Sequence, residues 1–404
     1  MSTDPRLEFN PYAHDVHDDP FPFYRRLRDE APVYRNEDLG FWAISRYGDV
    51  LAALHDHDTF CNRYGITLEQ GNTALPMLLT TDQPEHTKLR RLVSRAFTPK
   101  RVAELEPEIR ALATEHLDRI CEQGEADLIG DFAAKLPMDV ISRMLGVPRD
   151  DEDVLRAWSD TLLHREPGIP DVTPAGTEAA MALGRYFFDF VRSTRERPRD
   201  DLTSALLAAE VDGERLDDLD VVGFCFLLVI AGNETTTKLF GNCLLALQRF
   251  PGPRASLLAD PSRIPDAVEE TLRYEGSTQV MARTLTCDVR LHDALMPAGD
   301  KVLLLLGSAN RDERVWERPD EFDLDRPRPQ PHLGFGHGIH VCLGAPLARL
   351  EMRIALEEWL RRLPDAVIEE AGLERVHSGN VRGYSRMPIR FTPAVPEGPA
   401  MLGA

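Results

Sequence analysis

Residues 335–344 read FGHGIHVCLG, setting Cys342 among Gly336, Gly338, Gly344 and two histidines, His337 and His340. Directly after it runs APLARLEMRIALEEWLRRL, where Pro346 suits a first helical turn and apolar residues at 347, 350, 354, 356 and 360 repeat at helical spacing. Cys342 therefore precedes a helix N-terminus, where free N–H groups and the helix dipole favour a thiolate. The glycines permit close backbone approach, which fits a flat, bulky group lying against the loop. Two plainer readings use the same residues. One is a buried structural cysteine in a glycine-rich turn; the other is a zinc site built on His337, His340 and Cys342, although no fourth ligand stands at familiar spacing.

Phe335, Gly338, Cys342 and Gly344 meet in full the pattern Phe, two residues, Gly, three residues, Cys, one residue, Gly. That stretch resembles the haem-binding loop of the cytochrome P450 family, and further motifs extend the resemblance over nearly the whole chain. It implies haem b with Cys342 as the axial iron ligand. A thiolate in that position pushes electron density onto the iron and favours O–O cleavage.

Residues 216–250, LDDLDVVGFCFLLVIAGNETTTKLFGNCLLALQRF, read as one long apolar helix of about 50 Å at ~1.5 Å per residue, interrupted by AGNETTT. Glycine and three successive threonines are poor helix formers, so the notch asks for a reason. A hydroxyl satisfied by the preceding turn's carbonyl is the plain one. The stretch also resembles the family's distal motif at Ala231, Gly232, Glu234 and Thr235. The resemblance implies proton supply by Glu234, a positioning role for Thr235 at the oxygen to be cleaved, and small residues that leave room for oxygen.

Further matches imply the remaining site. His86 and Arg90 of DQPEHTKLRRLVSRAF, Arg283 of VMARTL and His340 match the family's donors to the two haem propionates. Glu270 and Arg273 of EETLR, joined by Arg326 of FDLDRP, match a buried structural cluster. By position, Leu227, Ile230, Ala231, Gln279 and Val280 face the substrate. The mostly apolar lining suits a hydrophobic small molecule, with Gln279 and Asn233 as polar contacts.

The 404 residues contain nothing resembling a linker, and hydrophobic residues at 43% with charged residues at 28% exclude a disordered chain. A formal net charge of −20 argues against nucleic acid or an acidic membrane as partner. Six cysteines without a CxxC pair suit a reducing compartment, and the polar start lacks the regions of a signal peptide. The longest apolar run, residues 221–231, is too short to span a bilayer. Strand signals appear at APVYRN and GFWAIS as a hairpin, around a Pro-x-Gly turn in DVRLHDALMPAGDKVLLLLGSAN, and as a pair in NVRGYSRMPIRFTP; residues 85–275 are mainly helical. Loops at 61–84 and 164–180 are expected to cover the site.

The expectation is one 1–404 domain of mainly α class with small β-sheets. The resemblance makes it the cytochrome P450 fold, with the long distal helix and the cysteine-loop helix sandwiching haem, and a smaller β-rich lobe from N-terminal, 280–306 and C-terminal segments. It implies a cytoplasmic, monomeric monooxygenase supplied by a ferredoxin and its NAD(P)H-dependent reductase, the ferredoxin docking near Arg91, Arg95, Arg349 and Arg353. A peroxide-driven oxygenase and a haem-based sensor or carrier are the rival readings.

Overall fold

The computed structural model describes residues 7–69, 75–166 and 171–398. The expected hairpin forms: Val33–Asn36 pairs antiparallel with Phe41–Ile44 across a turn in which Gly40 takes a positive φ of 67°. The second strand lies parallel to Lys301–Leu305, which pairs antiparallel with Val280–Leu285, and Phe60–Cys61 closes a five-stranded sheet. Side chains alternate between the two faces of such a sheet. Val280, Ala282, Leu303 and Leu305 join Phe9, Tyr24 and Leu27 in one core. Met281, Leu285, Val302 and Leu304 belong to another, with Tyr47 and Trp316.

Around the Pro-x-Gly turn there are three strands rather than two, because Val289–Leu291 and Ala294–Met296 form their own hairpin before Lys301–Leu305. His292 at its tip has φ 50°. The two C-terminal strands, Tyr384–Arg386 and Pro388–Arg390, do not join the five-stranded sheet. The first pairs with Glu374–Arg375, and the second lies between Val367–Ile368 and Glu125–Asp127.

Helices build the rest. Asp217 and Asp220 form a reciprocal capping box that starts the helix Asp218–Arg249. It runs as continuous α-helix through 231–237, so the expected interruption is one of side-chain polarity and not of backbone. By length and composition this helix, alone among the described residues, could cross a membrane. It instead packs against Lys135–Leu145, Glu152–Leu163, Pro174–Glu196, Ile264–Tyr274 and Ala345–Arg362 as the central helix of the core. Parts of the two expected covering loops, 70–74 and 167–170, lie outside the described residues.

Glu270, Arg273 and Arg326 come together in the interior. The Glu270 carboxylate accepts from Arg273 at 2.7 Å and from Arg326 at 2.9 Å, and each of these side chains is at most 2% exposed. Arg273 also donates to the carbonyls of Asn310, Pro319 and Glu321, and Arg326 to that of Arg318. The cluster thus ties helix Ile264–Tyr274 to the irregular segment that leads into the cysteine loop. Glu270→Ala leaves two buried guanidiniums without their counter-charge and is expected to remove about 3–5 kcal/mol of unfolding free energy in denaturant titrations. A loss below about 1 kcal/mol would match an exposed pair instead.

Candidate functional site

Cys342 lies between the short turn Gly338–His340 and the helix Ala345–Arg362, and its backbone N–H donates to the Phe335 carbonyl at 2.9 Å. Gly338 has φ 70°, and a Cβ there would lie 2.4 Å from the Leu54 carbonyl oxygen, so the loop can approach the neighbouring helix only with glycine at this position. The protein packed around the Cys342 sulfur pushes its thiol up, although the residue opens onto the cavity, and the N–H groups of Gly344 and Ala345 and the charge of Arg90 oppose this. The helix start acts in the expected direction. The sulfur borders a cavity of about 350 Å³, bounded by Phe335, Leu343 and Leu347 on the loop side and by Leu227, Ile230, Ala231, Glu234 and Thr235 of the long helix.

His86, Arg90, Arg283 and His340 converge on the same cavity from a helix, a strand and the cysteine loop. The imidazoles of His86 and His340 stand with ring centroids 4.3 Å apart. Among the described residues, neither ring nitrogen of His86 has a hydrogen-bond partner, nor has Nε2 of His340. Arg283 Nη1 donates to the Ala282 carbonyl, and among the described residues neither Arg90 nor Arg283 forms an ion pair. Burial and then the Arg90 charge hold His86 down at about 4, and burial with His86 and Arg283 takes His340 to about 3. Arg283 is lowered to about 10 by burial. Buried cations normally have counter-charges. Orphaned donors beside a cysteine in an apolar cavity fit haem b, whose two propionates would complete them and whose iron Cys342 would ligate. His337, His340 and Cys342 form no metal-binding group, since no set of three such ligands converges among the described residues.

On the long helix, Thr235 Oγ1 donates to the Ala231 carbonyl at 2.7 Å, so the plain reading of that hydroxyl describes its hydrogen bond. Its lone pairs remain available as acceptors. Glu234 borders the cavity and pairs with Lys238 at 3.2 Å, with side chains 12% and 5% exposed. Asp160 of helix Glu152–Leu163 lies against the same carboxylate. The protein packed around it, then the Glu234 charge, push Asp160 up to about 7. Gly232 lines the cavity too, and a Cβ there would lie 2.5 Å from Ile141 Cδ1, so its smallness also admits a neighbouring helix.

Leu227, Ile230 and Ala231 line the cavity as expected, whereas Gln279 and Val280 do not. The Gln279 amide turns back to donate to the Gly276 carbonyl at 2.7 Å, and Val280 points into the core with Phe9 and Tyr24. Strand alternation puts Met281 and Arg283 on the cavity side, preceded by Thr278. Glu351, absent from the expected set, lines the cavity fully buried, with Oε1 unpartnered and its carboxyl driven well above the ordinary range by burial. Its signal was present in the sequence, because 351 falls on the apolar stripe of Leu347 and Ile354.

Asp160→Asn is expected to stabilise the protein at pH 8 and leave it nearly unchanged at pH 4. A carboxyl raised from 3.8 to about 7 on folding opposes folding increasingly between those values, where only the unfolded chain ionises, and by a constant amount above 7. Asp160 keeps an open face, so the gain should stay below ~1 kcal/mol. Equal effects at both pH values in denaturant titrations would remove the carboxylate pair from this account.

The cytochrome P450 family model matches residues 264–378. Putative cytochrome P450 123 of Mycobacterium tuberculosis is 48% identical over 391 residues, covering 96% of this chain and 97% of that protein. The steroid C26-monooxygenase of the same species is 40% identical over 381 residues, covering 93% and 94%. The solved structure of cytochrome P450 CYP109Q5 from Chondromyces apiculatus superposes with a TM-score of 0.87 at 39% identity, covering 96% of this chain and 98% of that one. With Cys342, the buried cations and the long helix arranged around one cavity, and with relatives matching nearly end to end, the chain belongs to the cytochrome P450 family and is a haem monooxygenase.

Proposed function

We propose that this protein inserts one oxygen atom from O2 into an apolar small molecule, by hydroxylation or epoxidation, using electrons from a ferredoxin and its NAD(P)H-dependent reductase. One observation carries the reading: a largely apolar cavity is bounded on one side by Cys342 and on the other by Glu234 and Thr235. Haem b, when bound, supplies the redox iron that activates dioxygen. Leu227, Ile230, Ala231 and Met281 hold the substrate and exclude water. Thr235, its proton committed to the Ala231 carbonyl, accepts a hydrogen bond at the reacting oxygen. Glu234 takes protons from the Asp160 side and releases them into the cavity, with Lys238 holding it in place between transfers. This acid and alcohol favour O2 chemistry over a peroxide-driven reaction.

The ferredoxin site is narrower than the four arginines of the sequence suggest. Arg349 is engaged with Glu269 at 2.6 Å, and Arg353 with Glu106 and Glu357. Arg95 borders a shallow groove with Arg90, Arg91, Gly338 and Val341, on the face behind the cysteine loop. Arg91 pairs there at 2.9 Å with Asp212, whose side chain is 75% exposed. An acidic partner can displace so weak a pair. On this reading the chain works as one 1–404 domain, a cytoplasmic monomer, and the six unpaired thiols suit a reducing compartment.

Arg283→Ala leaves a propionate without its charged donor, worth roughly 1.5–3 kcal/mol, or about 10- to 150-fold in haem retention. Haem transfer to apomyoglobin at the parent rate would count against that role. Thr235→Ala should bind substrate and accept electrons as the parent does, yet release more hydrogen peroxide per product formed. The peroxide-to-product ratio under matched ferredoxin supply is the measurement. An unchanged ratio returns Thr235 to a helix-packing role, and absence of product from the parent across an apolar compound panel would oppose the monooxygenase reading.

A further inference from the structure

Besides Glu234, Glu351 and the groups assigned to haem, two further charged side chains stand in this largely apolar cavity. Glu69 and Arg165 both line it, and they are 8% and 9% exposed. Arg165 Nε donates to Glu69 Oε1 at 3.0 Å, and Nη1 donates to the carbonyls of Leu162 and His164 at 2.9 and 3.0 Å. The backbone N–H of Arg165 donates to the His377 carbonyl at 3.1 Å, anchoring the pair beside the 378–381 segment of the cavity wall. The hydroxyl of Tyr12 lies against the same carboxylate, and burial and the charge of Glu69 push its pKa far up.

The pair is left incomplete. Glu69 Oε2 is buried with no hydrogen-bond partner, and Arg165 Nη2 makes no hydrogen bond or ion pair among the described residues. A buried ion pair recovers its desolvation only when its remaining lone pairs and protons are also satisfied. Here one acceptor and one donor of the same ion pair lack partners among the described residues in the wall of a binding cavity. A ligand that both donates and accepts at one atom completes them, and a hydroxyl does so. The pair is electrically neutral as it stands. A carboxylate would meet the free Glu69 oxygen, and an ammonium would meet the guanidinium.

We propose that Glu69 and Arg165 form a specificity subsite for a hydroxyl carried by the substrate, donating to Glu69 Oε2 and accepting from Arg165 Nη2. The substrate class is then an apolar alcohol rather than a plain hydrocarbon or an acid. This deepens the proposed monooxygenase reading and rests on it in taking the cavity as the substrate site.

The test uses the haem-loaded full chain without reductant, so that binding is read apart from turnover. Affinities of 1-decanol, its methyl ether and decanoate are measured by difference spectroscopy and calorimetry. The ether keeps the acceptor and loses the donor, and the acid adds a charge. 1-Decanol is expected to bind at least 10-fold more tightly than either, and Glu69→Leu combined with Arg165→Leu should bring the three within about 2-fold while the carbon-monoxide spectrum stays that of the parent. Should the double variant fail to hold haem, the parent series decides alone. A preference for the alcohol below about 3-fold, including no binding by any of the three, overturns the subsite, as does a preference that survives in the folded double variant. Failure of the monooxygenase reading would look different, with alcohol selectivity intact and no product on supplying electrons and O2.

Discussion

Two arginines without an ion-pair partner among the described residues, set beside two imidazoles that burial keeps neutral, lie at the centre of this molecule. Arg90, Arg283 and the imidazoles of His86 and His340 are brought together by three separate elements, and no carboxylate among the described residues pairs with either arginine. Like charges in a confined space oppose the fold that assembles them. The arrangement is stable as part of a larger object that includes a dianion, so haem belongs to the structure as much as to the chemistry. Elsewhere buried arginines are closely partnered: Arg273 and Arg326 share Glu270, and Arg311 and Arg382 share Glu275. The contrast between partnered and unpartnered cations marks the cofactor region.

Much of this was legible in the chain because the decisive residues are close in sequence. The cysteine loop spans ten positions, and the Glu234–Thr235 notch and the first hairpin are equally local. What failed depended on a single step of register. Assigning Gln279 and Val280 to the cavity was wrong by one strand position, and in a strand one position changes the face. The long helix keeps its polar notch at 231–237 without a break, because packing on five helices overrides the weak helix preference of glycine and threonine. Glu351 carried a signal, a charge in an apolar stripe. The Glu69–Arg165 pair carried none, since 96 residues separate its members and no local pattern joins them.

The polar groups of the cavity fall into two sets. Glu234, Lys238 and Asp160 form a cluster in which two carboxylates lie together beside a buried lysine, the proposed proton route. Glu69 and Arg165 present a fixed donor and acceptor with no exchange partner beyond the Tyr12 phenol. Both sets involve one stretch of chain, because Asp160 lies in helix Glu152–Leu163 and Arg165 follows two residues after its end. The proposed proton route and the proposed hydroxyl subsite are therefore built on the same short piece of scaffold.

Strand Val280–Leu285 serves two masters on one face, with Met281 in the wall of the proposed substrate space and Arg283 among the proposed propionate donors. Because both residues share parity, inserting or deleting a single residue upstream of them would exchange both for their neighbours, burying the arginine in the core of Phe9 and Tyr24 and losing the cofactor's cation together with the pocket wall. Changes of chain length are closed to this segment. Diversification of the pocket here must proceed by exchange of side chains at 281, with the strand's length held constant by the residue two places on.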